Sequence, residues 1–136
     1  MLTHDALIRL CRARECLREA DGAQGIHALA REAGFSTGVF IRRFSAVFGT
    51  TPHQLRIASR IDRAKRLLAE GGASVTDVCY EVGFESLGSF SDLFARRVGV
   101  APTAYRRRWH VAESLVARSP GCLDLMAAAF ARFERA

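Results

Sequence analysis

The stretch that decides the fold is residues 83–108, which reads GFESLGSFSDLFARRVGVAPTAYRRR. Phe90 and Phe94 are four residues apart, Val98 is four further on, and Phe84 lies in the Gly-Phe turn before them. Residues spaced by four share one face of an α-helix. The pattern therefore predicts a turn, an amphipathic helix, a Gly-Val-Ala-Pro break and a short basic helix.

The opposite face of this predicted helix carries few bulky side chains. Leu87, Ser91 and Asp92 point away from the phenylalanines, and Arg96 and Arg97 follow in the last turn. A helix held by aromatic residues inside, with short side chains and arginines outside, suits the major groove of DNA. The phenylalanines could instead stack on bases, as in single-strand binders, but their helical spacing favours a place in the core.

The same order of features occurs earlier in the chain, over residues 26–56. Gly34-Phe35 precedes the matching Gly83-Phe84 by 49 residues. Five later residues recur at an offset of 50, namely Phe40, Phe44, Gly49, Pro52 and Arg56, which match Phe90, Phe94, Gly99, Pro102 and Arg106. The sequence therefore predicts a duplicated helix-turn-helix.

The remaining segments also indicate helices. The first helix is expected over residues 2–19, with an apolar stripe of Leu7, Ile8, Leu10, Cys11 and Leu17. Ser36 is a suitable N-cap for a helix from Thr37 to Phe48, and Pro52 begins a long helix that ends near Glu70. No segment shows the period-two alternation of a strand. The expected fold class is all-α and homeodomain-like, with two helix-turn-helix subdomains joined by a long central helix, about seven helices and a C-terminal tail helix.

These elements define the expected domains. A DNA-binding domain covers residues 3–109, with the first helix-turn-helix at about 25–49, the linker helix at about 52–70 and the second helix-turn-helix at about 74–99. An extension covers residues 110–136, and its apolar positions form an amphipathic helix: Leu123, Met126, Ala127, Phe130 and Phe133. This tail helix could pack on the second unit, or it could contact a dimer partner or a polymerase.

The long linker helix sets the distance between the two units. Its 19 or so residues span roughly 28 Å at 1.5 Å per residue. Successive major-groove faces on one side of B-DNA lie about 34 Å apart. The two recognition helices could therefore enter adjacent grooves with some bending of the DNA.

Composition indicates a polyanionic partner and argues against catalysis. The net charge is +6, and the basic residues are 19 arginines and one lysine. Arginine favours bidentate contacts to phosphate and guanine. The four cysteines, Cys11, Cys16, Cys79 and Cys122, lack zinc-site spacing, and the four histidines are scattered. We therefore expect no metal, no cofactor and no enzyme activity, and the absence of a recognisable leader or membrane span predicts a cytoplasmic location.

These motifs resemble the DNA-binding domain of the AraC family of bacterial transcription regulators, over about residues 3–109. The second unit carries the match most clearly, through Glu-Val-Gly-Phe at 81–84, the helix at 90–99, Val-Ala-Pro and Tyr-Arg-Arg. The resemblance implies a seven-helix fold, binding to promoter DNA, and activation by contact with RNA polymerase. Many members of this family carry a separate ligand-sensing domain, but there is no room for one before Thr3, so we expect a stand-alone member. We also expect it to bind double-stranded DNA as a monomer.

The resemblance also places the DNA contacts. By position, base reading falls to Gly38, Ile41, Arg42, Leu87, Gly88, Ser91 and Asp92, and the repeat adds Arg43 as a base or phosphate contact. Phosphate binding is expected from Arg56, Arg96, Arg97, Arg106 and Arg107.

The second recognition helix departs from relatives that offer Gln or Arg at its reading positions. Asp92 could accept a hydrogen bond from cytosine N4 or repel phosphate, and Leu87 could touch a thymine methyl. The first unit, through Arg42 and Arg43, is therefore expected to carry more of the specificity. Two alternatives remain open, an architectural or weakly specific DNA binder and a protein-interaction module that uses the C-terminal helix.

Overall fold

The computed structural model describes residues 1–19 and 24–117. Seven helices make up this part of the chain: α1 (His4–Arg18), α2 (Ile26–Glu32), α3 (Thr37–Phe48), α4 (Pro52–Glu70), α5 (Val75–Glu81), α6 (Leu87–Val98) and α7 (Pro102–Ala117). No strand occurs among these residues. The all-α, seven-helix prediction is confirmed. Cys122 and the tail positions Leu123, Met126, Ala127, Phe130 and Phe133 lie outside the described residues.

Local capping sets the ends of the two recognition helices, α3 and α6. The Val39 N–H donates to Ser36 Oγ, and the Ser89 N–H donates to Ser86 Oγ, each with an N···O distance of 3.4 Å. A glycine in the left-handed region ends each helix. Both helices are therefore 12 residues long, and their equal lengths follow from equivalent sequence signals.

Each helix-turn-helix has its own hydrophobic core. The core of the first lobe comes from α1, α2 and α3, and it contains Leu10, Ala13, Leu17, Leu29, Ala30, Ala33, Phe40 and Phe44. The core of the second lobe comes from α4, α5 and α6, and it contains Ile61, Ala64, Leu68, Val78, Cys79, Val82, Phe90 and Phe94. Phe40 and Phe44 of α3 and Phe90 and Phe94 of α6 have no exposed surface. Their predicted place in the core is confirmed.

The duplication extends to the helix that supports each lobe. In α1 the buried residues Leu10, Ala13 and Leu17 follow the same spacing as Ile61, Ala64 and Leu68 in α4. The offset is 51 residues for all three pairs. Helix α4 thus supports the second lobe as α1 supports the first, while its own first half packs on the first lobe through Leu55.

The apolar stripe expected in α1 is only partly right. Leu10 and Leu17 are buried, but Leu7 and Ile8 are 40% and 39% exposed. The buried face instead continues through Ala6 and Ala13. Small alanines thus occupy buried positions, and the larger Leu7 and Ile8 lie at the edge of the buried face.

Helix α7 is longer than the short basic helix expected from the sequence. It runs without interruption from Pro102 to Ala117, so the expected boundary between residues 109 and 110 falls inside it. Its first half joins the second lobe, where the Tyr105 ring lies 5.5 Å from that of Phe94. No described helix is both long enough and apolar enough to span a bilayer.

Each helix-turn-helix turn depends on one glycine covered by an arginine. Gly34 has φ +77° and Gly83 has φ +91°. A Cβ on Gly34 would lie 2.7 Å from Arg9 Nη1, and a Cβ on Gly83 would lie 3.2 Å from Arg60 Cζ. Arg9 and Arg60 are themselves 51 residues apart, so the arginine over the turn belongs to the repeat.

The aromatic core of the second lobe gives a direct stability test. Phe90 is fully buried, and its ring centre lies 5.2 Å from Phe84 and 5.7 Å from Phe94. We expect Phe90→Ala to lower the free energy of unfolding by about 3–5 kcal/mol, because it leaves a cavity between the two rings. Urea denaturation followed by circular dichroism measures the change. The exposed control Asp92→Ala should change stability by no more than about 0.5 kcal/mol.

Two glycine-to-alanine substitutions four residues apart should change stability in opposite directions. Gly34→Ala places a side chain at positive φ against Arg9 and should cost about 1–3 kcal/mol. Gly38 lies in the first turn of α3 with nothing within 4 Å of an added Cβ. Gly38→Ala should therefore stabilise the protein by roughly 0.5–1 kcal/mol. Urea denaturation midpoints that moved in the same direction for both variants would contradict this account of the turn.

Candidate nucleic-acid interface

The two recognition helices expose the faces opposite their buried phenylalanines. In α3 the predicted reading residues Gly38, Ile41 and Arg42 are all exposed. In α6 the same is true of Leu87, Gly88 and Asp92, while Ser91 is partly buried. The structure therefore brings the predicted reading residues of each lobe onto one surface of one helix.

The two reading faces carry opposite charges at equivalent positions. At the offset of 50, Gly38 corresponds to Gly88, and Arg42 corresponds to Asp92. The glycines keep backbone close to the surface in the first turn of each helix, whereas the charged pair differs in sign. A polyanion approaching both helices would meet attraction at Arg42 and repulsion at Asp92.

Arg43 lies in a different environment from its neighbour Arg42. It is partly buried, and its guanidinium carbon lies 5.2 Å from the centre of the Phe35 ring. The equivalent residue of the second lobe is Leu93, which packs against the hydrophobic core. In the first lobe this position thus holds a cation over the aromatic ring of the turn, and in the second lobe it holds an apolar side chain against the core.

The second lobe carries exposed arginines at the end of α6 and on α7. Arg96 and Arg97 occupy the last turn of α6 and are exposed. Cations in this position are stabilised by the negative end of the helix dipole. Arg107 and Arg108 of α7 are also exposed. Four exposed guanidinium groups thus lie at the end of α6 and on α7.

Arg56 and Arg106, which were also expected to bind phosphate, are partly buried and make contacts within the chain. Arg56 Nη2 donates to the Gln24 carbonyl oxygen. Arg106 Nη2 donates to the Gly71 carbonyl oxygen at an N···O distance of 3.5 Å. Burial lowers the pKa of Arg56, and the nearby Arg60 lowers it further. Both side chains are therefore partly withdrawn from solvent, unlike the exposed arginines of α6.

Sequence reasoning missed three polar residues that hold the recognition helices. Arg9 and Arg60 cover the turn glycines, and His27 Nδ1 lies 2.8 Å from Thr37 Oγ1, which links α2 to the first turn of α3. The 51-residue spacing of α1 and α4 could have revealed the two arginines. The histidine contact has no counterpart in the repeat, because Leu87 stands where the first lobe has Thr37.

Among the described residues nothing resembles a metal centre. No group of three or more His, Cys, Asp or Glu side chains lies close enough to hold an ion in the part of the chain that the structure describes. Cys11, Cys16 and Cys79 are free thiols. Burial raises the pKa of the Cys79 thiol, so this cysteine stays protonated inside the second core.

Comparisons with known proteins agree with this geometry. Residues 29–108 match the family model described as "Helix-turn-helix domain". One solved structure that resembles this chain is the DNA-binding domain of AdpA, a global transcriptional factor, in complex with a target DNA. Its sequence is 31% identical to this chain. It has a TM-score of 0.65, and the match covers 81% of this chain and 96% of that one.

Two curated relatives match over part of their length. The probable transcriptional regulator LumQ of Photobacterium leiognathi is 37% identical over 78 residues, which is 57% of this chain and 32% of that protein. The MmsAB operon regulatory protein of Pseudomonas aeruginosa is 35% identical over 83 residues, which is 61% of this chain and 27% of that protein. The matched region thus spans between about a quarter and a third of the length of these relatives.

The family match covers more than half of the chain and includes both recognition helices. The observed order of helices, the duplicated cores and the similarity to the AdpA domain all agree with it. The chain belongs to the AraC-type family of helix-turn-helix domains.

Proposed function

We propose that this chain is a sequence-specific regulator of transcription that binds double-stranded DNA through α3 and α6. The observation that carries the proposal is the pair of equivalent helices, each held by two buried phenylalanines and each exposing the opposite face to solvent. The AdpA domain, which shares the fold, was solved with its target DNA. Helix α4, 19 residues long, sets the spacing that lets both helices enter adjacent major grooves.

The two lobes have different roles in this proposal. Arg42 is the main base reader, since an exposed arginine can donate two hydrogen bonds to guanine O6 and N7. Gly38 and Ile41 let α3 approach the base edges closely. In the second lobe Leu87, Gly88, Ser91 and Asp92 provide a weaker reading surface, where Asp92 accepts from cytosine N4 and Leu87 contacts a thymine methyl.

Phosphate contacts come from the exposed arginines Arg96, Arg97 and Arg107. They lie at the end of α6 and along α7, where they can bind the backbone beside the groove that α6 enters. Because one chain supplies both recognition helices, it binds as a monomer. RNA polymerase is the partner through which binding alters transcription in the bacterial cytoplasm, and no catalytic step is involved.

Selection of bound sequences from a random pool of double-stranded DNA tests the proposal. We expect two half-motifs whose centres lie about one helical turn apart. Arg42→Ala should remove the half-motif read by α3 and cost about 1–3 kcal/mol of discrimination at one base pair. Asp92→Ala is the matched substitution on α6, and it should leave the α3 half-motif intact.

The same selection distinguishes the alternative functions. An architectural binder would show salt-sensitive binding without an enriched motif, so its affinity for selected and random DNA would be equal. A protein-interaction module would show no salt-sensitive DNA binding. Either result would contradict a sequence-specific regulator.

The exposed arginines should determine how binding depends on salt. Each phosphate contact releases condensed counterions, so its loss lowers the slope of log affinity against log salt by about one. We expect Arg97→Met to lower the slope by this amount and to weaken binding equally for all sequences. Tyr80→Ala, an exposed uncharged control on α5, should leave the slope unchanged.

A further inference from the structure

We infer that Arg56 and Arg106 are positioning residues. Each one joins the loop before a helix-turn-helix to the helix that comes after the recognition helix of that lobe. In this role they hold α3 and α6 at the correct angle and do not themselves contact phosphate. The inference rests on the proposed function, because part of its consequence is measured in DNA binding.

In the first lobe the contact links the start of α4 to the start of α2, with α3 between them in the chain. Arg56 lies in the second turn of α4, and its acceptor, the Gln24 carbonyl, lies directly before Gly25, the N-cap of α2. The Gln24 side chain in turn donates to Glu32 Oε1 at the other end of α2. The entry to α2 is therefore held on both sides, and α3 lies in the segment between the two residues that the contact joins.

The second lobe repeats this arrangement. Arg106 lies in the second turn of α7, and its acceptor is the carbonyl of Gly71, the C-cap of α4. Gly71 lies three residues before Ser74, the N-cap of α5. The two contacts span 32 and 35 residues along the chain. Each one joins the loop before the first helix of a helix-turn-helix to the helix after the second.

The repeat supports a common role for the two arginines, because equivalent residues make equivalent contacts in the two lobes. Arg56 and Arg106 are equivalent at the offset of 50, and both bond to a backbone carbonyl in the corresponding loop. Arg106 Nε is buried and makes no hydrogen bond within the described residues. A phosphate contact would need a guanidinium that faces solvent, as those of Arg96 and Arg97 do.

Loss of such a contact should affect one lobe only. The α2–α3 pair would remain packed through Phe40 and Phe44 but could tilt relative to α4. Base reading depends on hydrogen bonds whose distances and angles have narrow limits. A tilt would therefore reduce discrimination at the half-motif of the affected lobe, while the number of phosphates neutralised would stay the same.

The test uses the full chain with Arg56→Met, Arg106→Met and the exposed control Arg97→Met. Methionine keeps much of the apolar stem of arginine and removes its N–H donors. For Arg97→Met we expect a salt slope lower by about one, with both half-motifs intact. For Arg56→Met we expect an unchanged slope and loss of the α3 half-motif alone, at least tenfold in the specificity ratio. Arg106→Met should do the same to the α6 half-motif.

The opposite pattern would overturn the inference. A slope reduced by about one in Arg56→Met, with both half-motifs unaltered, would show that Arg56 contacts phosphate. Equal weakening of both half-motifs by Arg56→Met would show a general loss of structure. Circular dichroism checks folding, and if the methionine variant does not fold, Arg56→Gln, which removes the guanidinium but keeps a polar side chain, replaces it with the same expected pattern.

Amide hydrogen exchange separates this inference from the proposed function. Without DNA, Arg56→Met should accelerate exchange of the α2 amides and leave those of α5 unchanged, and Arg106→Met should do the reverse. If the wild-type chain shows no sequence preference, the proposed function fails while the exchange result still decides the positioning role. Unchanged exchange in both lobes would overturn the positioning role even if DNA binding is confirmed.

Discussion

The fold depends on two pairs of phenylalanines, one pair in each recognition helix, that are completely withdrawn from water. In each helix the members of the pair lie four residues apart, so burying both of them determines which face of the helix turns outward. Their rings pack 5.6 and 5.7 Å apart in the two helices. Because this packing sets the rotation of α3 and α6, the side chains opposite the rings form the outer surface.

The supporting helices turn two small cores into one domain. Helix α4 takes part in both lobes: Leu55 packs on the first core and Ile61, Ala64 and Leu68 belong to the second. A continuous helix of 19 residues cannot bend freely, so the two recognition helices keep one separation. The α1 pattern recurs in α4, so the helix that ends the first unit also supports the second.

Sequence patterns predicted the features that depend on neighbouring residues. The bounds of α3 and α4 agree with the prediction because caps, prolines and glycines act within a few residues. The exposure of Leu7 and Ile8, the aromatic contact of Arg43 and the carbonyl contacts of Arg56 could not be predicted in this way. They depend on how separate helices pack against one another. The helical spacing of apolar residues in one helix does not show which part of a broad apolar face the neighbouring helices will cover. The DNA contacts of the site residues stay predictions.

The distribution of exposed charge differs between the two recognition helices. In α3 the cation at Arg42 lies within the reading face, whereas in α6 the equivalent position is Asp92 and the cations Arg96 and Arg97 lie at the helix end. An arginine in the middle of the face can reach base edges, but arginines at the end of the helix lie nearer the DNA backbone. The carboxylate between them and the first turn makes indiscriminate binding of α6 less favourable. Under the proposed function, the second lobe is thus suited to anchoring the chain, and the first lobe is the one that we propose selects the DNA sequence.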